Sequence, residues 1–104
     1  MYASLREYQG IEDPEDLQRL LREGLLAEME ALPGFIAYYF VDVGAAGDRM
    51  ISLTVFESID SCQQSNRLAA AWVDRWILDN PSKGPLISRV DEGPVISMAR
   101  AVGR

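Results

Sequence analysis

Asn66, in the stretch SNRLAAAW (65–72), is a carboxamide set among small and apolar residues, six positions ahead of Trp72. On a helical wheel of about 100° per residue, Asn66 falls inside the stripe that also carries Cys62, Ala69, Ala70 and Val73. A buried amide must satisfy two donor hydrogens and an acceptor, so it meets either backbone and water or a ligand. Against a ligand it can orient a carbonyl or stabilise a developing oxyanion. Ala69 and Ala70 would then leave room beside it, and Cys62 would serve as a small apolar lining residue. Trp72, on the flank of the stripe, can stack on an aromatic ring or simply pack the core. Tyr38 and Tyr39 are adjacent in an extended run and point to opposite sides of it. One of the two therefore faces the helices, where its hydroxyl can pass a proton to or from a phenolic substrate.

The residue types that are missing narrow this chemistry. The 104-residue chain has no histidine and a single cysteine, so a zinc, copper, haem-histidine or facial-triad iron site is not expected. Ser-His-Asp and Cys-His catalysis fall away for the same reason. Sixteen Asp and Glu against ten Lys and Arg give a net charge of −6. That balance disfavours nucleic acid and anionic membrane surfaces, both of which need dense positive charge. No stretch approaches the roughly 20 apolar residues that span a bilayer, and MYASLREYQG lacks the form of a secretory signal. A lone thiol suits a reducing compartment, and the expected location is cytoplasmic. The group Glu12, Asp13, Glu15 and Asp16 is read as a solvated helix start rather than a metal site.

The elements that must position these residues follow from local pattern. YASLREY (2–8) alternates and predicts a strand. Asp13 is the expected N-cap and Pro14 the first helical residue. Leu17, Leu20, Leu21, Leu25, Met29 and Leu32 then give one amphipathic helix, with Gly24 on the same face implying a close contact. Pro33-Gly34 ends it. GFIAYYFVDV (34–43) predicts a strand, Gly44 to Asp48 a hairpin loop, and RMISLTVFE (49–57) the returning strand. Asp60 or Ser61, each with a glutamine three residues on, caps a helix that runs to Asp79 before Asn80-Pro81. SKGPLISRVDEG is expected as a loop and PVISMARAV (94–102) as the last strand. The order βαββαβ predicts an α+β, ferredoxin-like domain over residues 1–104, with an antiparallel sheet and two helices on one face. In the second strand Phe35, Ala37, Tyr39, Val41 and Val43 should share one face, and Ile36, Tyr38, Phe40 and Asp42 the other. Both faces are mostly apolar, so the side away from the helices needs cover, and a homodimer packed through its sheet faces is expected.

LPGF (32–35) leading into YYFVD (38–42), VFES (55–58) at a strand–helix junction, and the helix with Asn66 and Trp72 resemble the dimeric α/β-barrel superfamily, specifically the antibiotic-biosynthesis-monooxygenase-like domains. The resemblance implies a dimer with a pocket in each subunit between sheet and helices. It also implies a cofactor-independent monooxygenase acting on a small aromatic or quinol-type substrate, with no cofactor. Haem-degrading relatives use a histidine from the second helix, which this chain lacks. In quinol-oxidising relatives asparagine, tryptophan, tyrosine and arginine surround the ligand, and Asn66, Trp72, Tyr38 or Tyr39, and Arg67 or Arg89 are of those types. The alternative is a dimeric domain that binds a small ligand without chemistry, or none at all.

Overall fold

A computed structural model describes residues 1–10, 14–44, 49–79 and 86–101 of the chain. Four strands and three helical segments run in the order β1 (Tyr2–Gln9), α1 (Pro14–Glu23), α2 (Leu25–Glu30), β2 (Phe35–Asp42), β3 (Arg49–Phe56), α3 (Ile59–Asp79) and β4 (Leu86–Pro94). The sheet is antiparallel with strand order β2-β3-β1-β4. With α1 and α2 standing where one helix was expected, this is the ferredoxin-like βαββαβ fold.

The break between α1 and α2 lies at Gly24, which takes φ −108° and ψ −80°. A Cβ there would sit 3.1 Å from Trp72 Nε1, so the indole of α3 approaches the backbone where a side chain would stand. The close contact inferred from the glycine is therefore real, and it divides the helix. The expected caps differ in outcome. Asp13, the loop residues 45–48 and Asn80-Pro81 lie outside the described residues. At the start of α3 the cap is Ser58 rather than Asp60 or Ser61: its Oγ accepts the Ser61 amide at 3.3 Å. Ile59 is already helical, which places Ser58 in the capping position.

Two strand expectations need correction. The last strand is Leu86–Pro94, not 94–102. Residues 86–94 pair with β1 along its whole length, with one irregularity at Ser88, and so occupy its remaining edge. Residues 95–101 have no regular structure and cross the outer sheet face, anchored by Val95 N to Met1 O at 2.9 Å. In β2 the register with β3 slips between Phe35 and Ala37, so Ile36 is an extra residue in a bulge. The slip turns Phe35 to the helix side, where its ring meets Phe56 edge-on at 5.7 Å. Beyond the bulge the alternation holds, with Tyr38 and Phe40 inward and Tyr39, Val41 and Val43 outward.

The apolar core is Leu17, Leu21, Leu25 and Met29 from the first helices, Ala69 and Val73 from α3, and Tyr8 and Met50 from the sheet. It does not extend along the whole helix–sheet interface. The inner rows of the central strands carry Ser4 and Arg6 from β1 and Ser52 and Thr54 from β3, all fully buried. The outer rows carry Leu5, Ile51, Leu53 and Val55, half-buried or exposed. The polarity is the reverse of a sheet with one face in water.

Candidate functional site

Strand alternation in YASLREY puts Tyr2, Ser4, Arg6 and Tyr8 on one face and Ala3, Leu5 and Glu7 on the other. The face that turns inward is the one with arginine, and Arg6 is 0% exposed. Its guanidinium meets only neutral acceptors. Nη1 donates to Asn66 Oδ1 at 2.8 Å and Nη2 to Thr54 Oγ1 at 2.7 Å. Longer contacts run from Nε to the Tyr8 hydroxyl at 3.3 Å, from Nη1 to Ser4 Oγ at 3.4 Å and from Nη2 to Met29 Sδ at 3.7 Å. Among the described residues no carboxylate forms an ion pair with it. Burying an unpaired charge costs several kcal/mol, and folds retain such groups chiefly where the charge is used.

Asn66 is the second member of this cluster. Its Oδ1 also accepts the Ser4 hydroxyl at 2.5 Å, and its Nδ2 donates to Glu92 Oε2 on β4 at 2.8 Å. The amide thus spans a buried cation and an exposed carboxylate, an arrangement that polarises it at both ends. Asn66 does not stand at the middle of the buried stripe of α3. The fully covered positions are Cys62, Ser65 and Ala69, followed by Val73, and Asn66 lies on the flank towards β1 and β4. Trp72 lies on the opposite flank, stacked on Trp76 at 5.5 Å and pressed against Gly24. The structure therefore separates the two ends of SNRLAAAW.

The other expected site residues divide in the same way. Tyr38 faces the helices and Tyr39 faces outward, 57% exposed. Cys62 and Ala69 are buried between α3 and the sheet, whereas Ala70 is exposed. Burial pushes the Cys62 thiol up, with Glu92 adding to the effect, so it stays protonated at neutral pH. Arg67 and Arg89 are exposed, and Arg89 pairs with Asp91. The arginine inside the fold is Arg6, which the search for an arginine near Asn66 in sequence passes over. The alternation of β1 places Ser4, Arg6 and Tyr8 on one face, but which face turns inward is set by pairing and packing with distant segments.

Tyr38 connects the cluster to open space. A cleft of about 450 Å³ lies between α1 and the edge strand β2, walled by Leu21, Leu26, Tyr38, Phe40 and Met50 and rimmed by Glu15, Arg22 and Asp42. The Tyr38 ring stacks on Phe40, and Phe40 meets Tyr8 edge-on at 5.7 Å. Burial raises the Tyr38 hydroxyl well above the ordinary phenol range, with Tyr8 adding to this and Arg6 opposing it. Tyr38 is consequently a neutral hydrogen-bond donor at physiological pH. Asn66 lines none of the described cavities.

No family model matches the chain, and no curated protein matches it in sequence. Its backbone does match solved structures. The cofactor-independent oxygenase SnoaB from Streptomyces nogalater superposes with a TM-score of 0.60 at 10% identity, over 99% of this chain and 97% of that one. A dimeric ferredoxin-like protein from an uncultured marine organism gives 0.64 at 14% identity, over 97% and 100%. A Nitrosomonas europaea protein provisionally named an antibiotic biosynthesis monooxygenase gives 0.67 at 9% identity, over 93% and 100%. At such identities it is the fold that is shared: the chain has the ferredoxin-like architecture of these proteins.

Proposed function

We propose that the chain is a cofactor-independent monooxygenase of a small phenol or quinol-type substrate, working as a homodimer in the cytoplasm. The observation that carries the reading is Arg6, a fully buried guanidinium with no carboxylate partner among the described residues, in a fold that also has a ligand-sized cleft. A positive charge in such a place lowers the free energy of a phenolate relative to its phenol. Glu15 or Asp42, at the cleft rim, takes the phenolic proton as the substrate enters, before its oxygen reaches Arg6. The electron-rich ring then reduces dioxygen directly. One oxygen atom becomes a new ring carbonyl, and the other leaves as water with the phenolic proton and the hydrogen displaced from the ring carbon. Tyr38, held neutral by burial, donates to the oxygen species formed in the cleft. Asn66, whose Oδ1 accepts from Nη1, keeps Arg6 in place. Tyr39, Trp72 and Ala70 stand away from this cleft and have no role in it.

The test is oxygen uptake with a panel of naphthols and hydroquinones, followed by mass analysis of products formed under ¹⁸O₂. Oxygen consumption with one labelled atom in the product is expected. Arg6→Met should lower kcat/KM by at least about a hundredfold, equivalent to roughly 2.7 kcal/mol of transition-state stabilisation. Arg6→Met turning over as fast as the parent would sink the assignment. Saturable binding of the phenols with no oxygen uptake would instead favour a ligand-binding domain without chemistry.

A further inference from the structure

The hydrogen bonds around Arg6 are unequally matched. Ser52, directly opposite Arg6 across the β1–β3 pairing, is fully buried, and its Oγ has no hydrogen-bond partner among the described residues. The Tyr8 and Thr54 hydroxyls each accept from Arg6, yet neither donates its own proton to any described residue. The Ser4 hydroxyl is the one in this row that finds an acceptor, in Asn66. One buried hydroxyl without a partner, Ser52, and two that accept from the guanidinium but do not donate, Tyr8 and Thr54, thus lie around a cation with no carboxylate paired to it among the described residues. Buried polar groups are ordinarily satisfied, and each one left open costs about 1–3 kcal/mol. What the cluster lacks is an acceptor carrying negative charge.

We propose that Arg6, Tyr8, Ser52 and Thr54 form the subsite for one ionised oxygen of a bound aromatic, a phenolate. The inference rests on the α1–β2 cleft being the ligand site, and it does not require that the ligand be oxidised. The inner row of β3 leads from the cleft to the cluster. Met50 is in the cleft wall, and Ser52 is the next inward residue, about 7 Å further along the strand. Phe40, also in the wall, is the residue opposite Ser52 on β2. A ring lying against Phe40 and Tyr38 would direct its oxygen past Phe40 to the Ser52 hydroxyl and then to Arg6. There it exchanges the weak thioether and long hydroxyl contacts of the guanidinium for charge-assisted ones. Ser52 becomes a specificity residue, since its hydroxyl is satisfied only when an acceptor arrives.

The probe is 4-nitrophenol, whose phenolate absorbs in the visible and whose ring is too electron-poor to reduce oxygen, with 4-nitroanisole as the analogue that cannot ionise. Bound 4-nitrophenol is expected to ionise at a lower pH than in buffer and to bind at least about tenfold more tightly than 4-nitroanisole. Ser52→Ala should weaken phenolate binding about tenfold while leaving the thermal midpoint unchanged or raised, because it removes an open hydroxyl from the empty protein. Arg6→Lys should bind more weakly and keep part of the ionisation shift. Ionisation of bound 4-nitrophenol at or above its pH in buffer overturns the subsite, as does a Ser52→Ala protein that binds as tightly as the parent. If 4-nitroanisole binds as well as 4-nitrophenol, the cleft stands and the subsite falls. If naphthols are bound as anions without oxygen uptake, the subsite stands and the oxygenase reading falls.

Discussion

Arg6 sets the terms at the scale of single residues. A guanidinium is always charged, and this one faces sulfur, hydroxyls and an amide instead of a carboxylate. Had stability alone shaped the site, an apolar side chain of similar length would serve it as well or better, because the desolvation cost has no Coulombic partner to offset it. Arg6→Met should therefore fold, with a stability from about 1 kcal/mol below the parent upward, even as it loses the proposed activity. Chemical denaturation followed by tryptophan fluorescence measures this directly. A loss of 3 kcal/mol or more, on the order seen when a buried pair is broken, would make Arg6 a structural residue. Asn66 was legible as an inward-facing amide because of its helical neighbours. Its partners were not, since Ser4, Arg6 and Glu92 lie 62, 60 and 26 residues away in the chain.

At the scale of elements, a glycine and a bulge decide what the strands present. Gly34 has φ +75°, and a Cβ there would stand 3.0 Å from Glu57 Cβ. Its carbonyl accepts the Glu57 amide at 2.8 Å, tying the start of β2 to the end of β3. Gly34→Ala should cost about 1–3 kcal/mol, from the left-handed backbone and the crowding at Glu57 together. That appears as a drop of several degrees in thermal midpoint, and an unchanged midpoint would show that the turn relaxes freely. Pro33-Gly34 is read from the sequence as the end of the helix, and α2 stops at Glu30, with a turn leading to β2 at Phe35. The bulge at Ile36 was not visible, because period-2 reading assumes an unbroken ladder and only pairing with β3 reveals the extra residue. The exchange of 86–94 for 94–102 as the last strand has a similar origin. Both segments have strand-forming residues, and the free edge of β1 could take only one of them.

For the whole molecule, the outward face of the sheet is the decisive feature. Leu5, Tyr39, Val41 and Val43 are each two-fifths or more exposed, and Met98 and Ile96 of the crossing segment join them, Ile96 at 95%. An apolar surface of this kind on a sheet calls for cover, and the fold's solved relatives include a dimeric protein. A second copy of the chain is the proposed cover. Val41→Lys, on the outer face and away from Arg6, should shift sedimentation from dimer to monomer at micromolar concentration. It should leave the circular dichroism spectrum unchanged, since Val41 lies outside the core. A parent protein that sediments as a monomer, or a variant that remains dimeric, would show that the sheets do not pair in this way.

The sequence by itself determined the element order, the ferredoxin-like architecture, the chemistries closed to a chain without histidine, and the apolar outer side of the middle strand. These depend on composition and on local periods of 2 and 3.6, which neighbouring residues encode directly. Tertiary structure alone decided that Arg6 is the buried cation and that Asn66 is held between opposite charges. It likewise decided that Trp72 packs against Gly24, and that Tyr38 rather than Tyr39 reaches the cleft. Each of those outcomes depends on which face of a strand or helix meets its neighbour. Pairing and packing between distant segments fix that choice, and the alternating pattern of one strand is compatible with either answer.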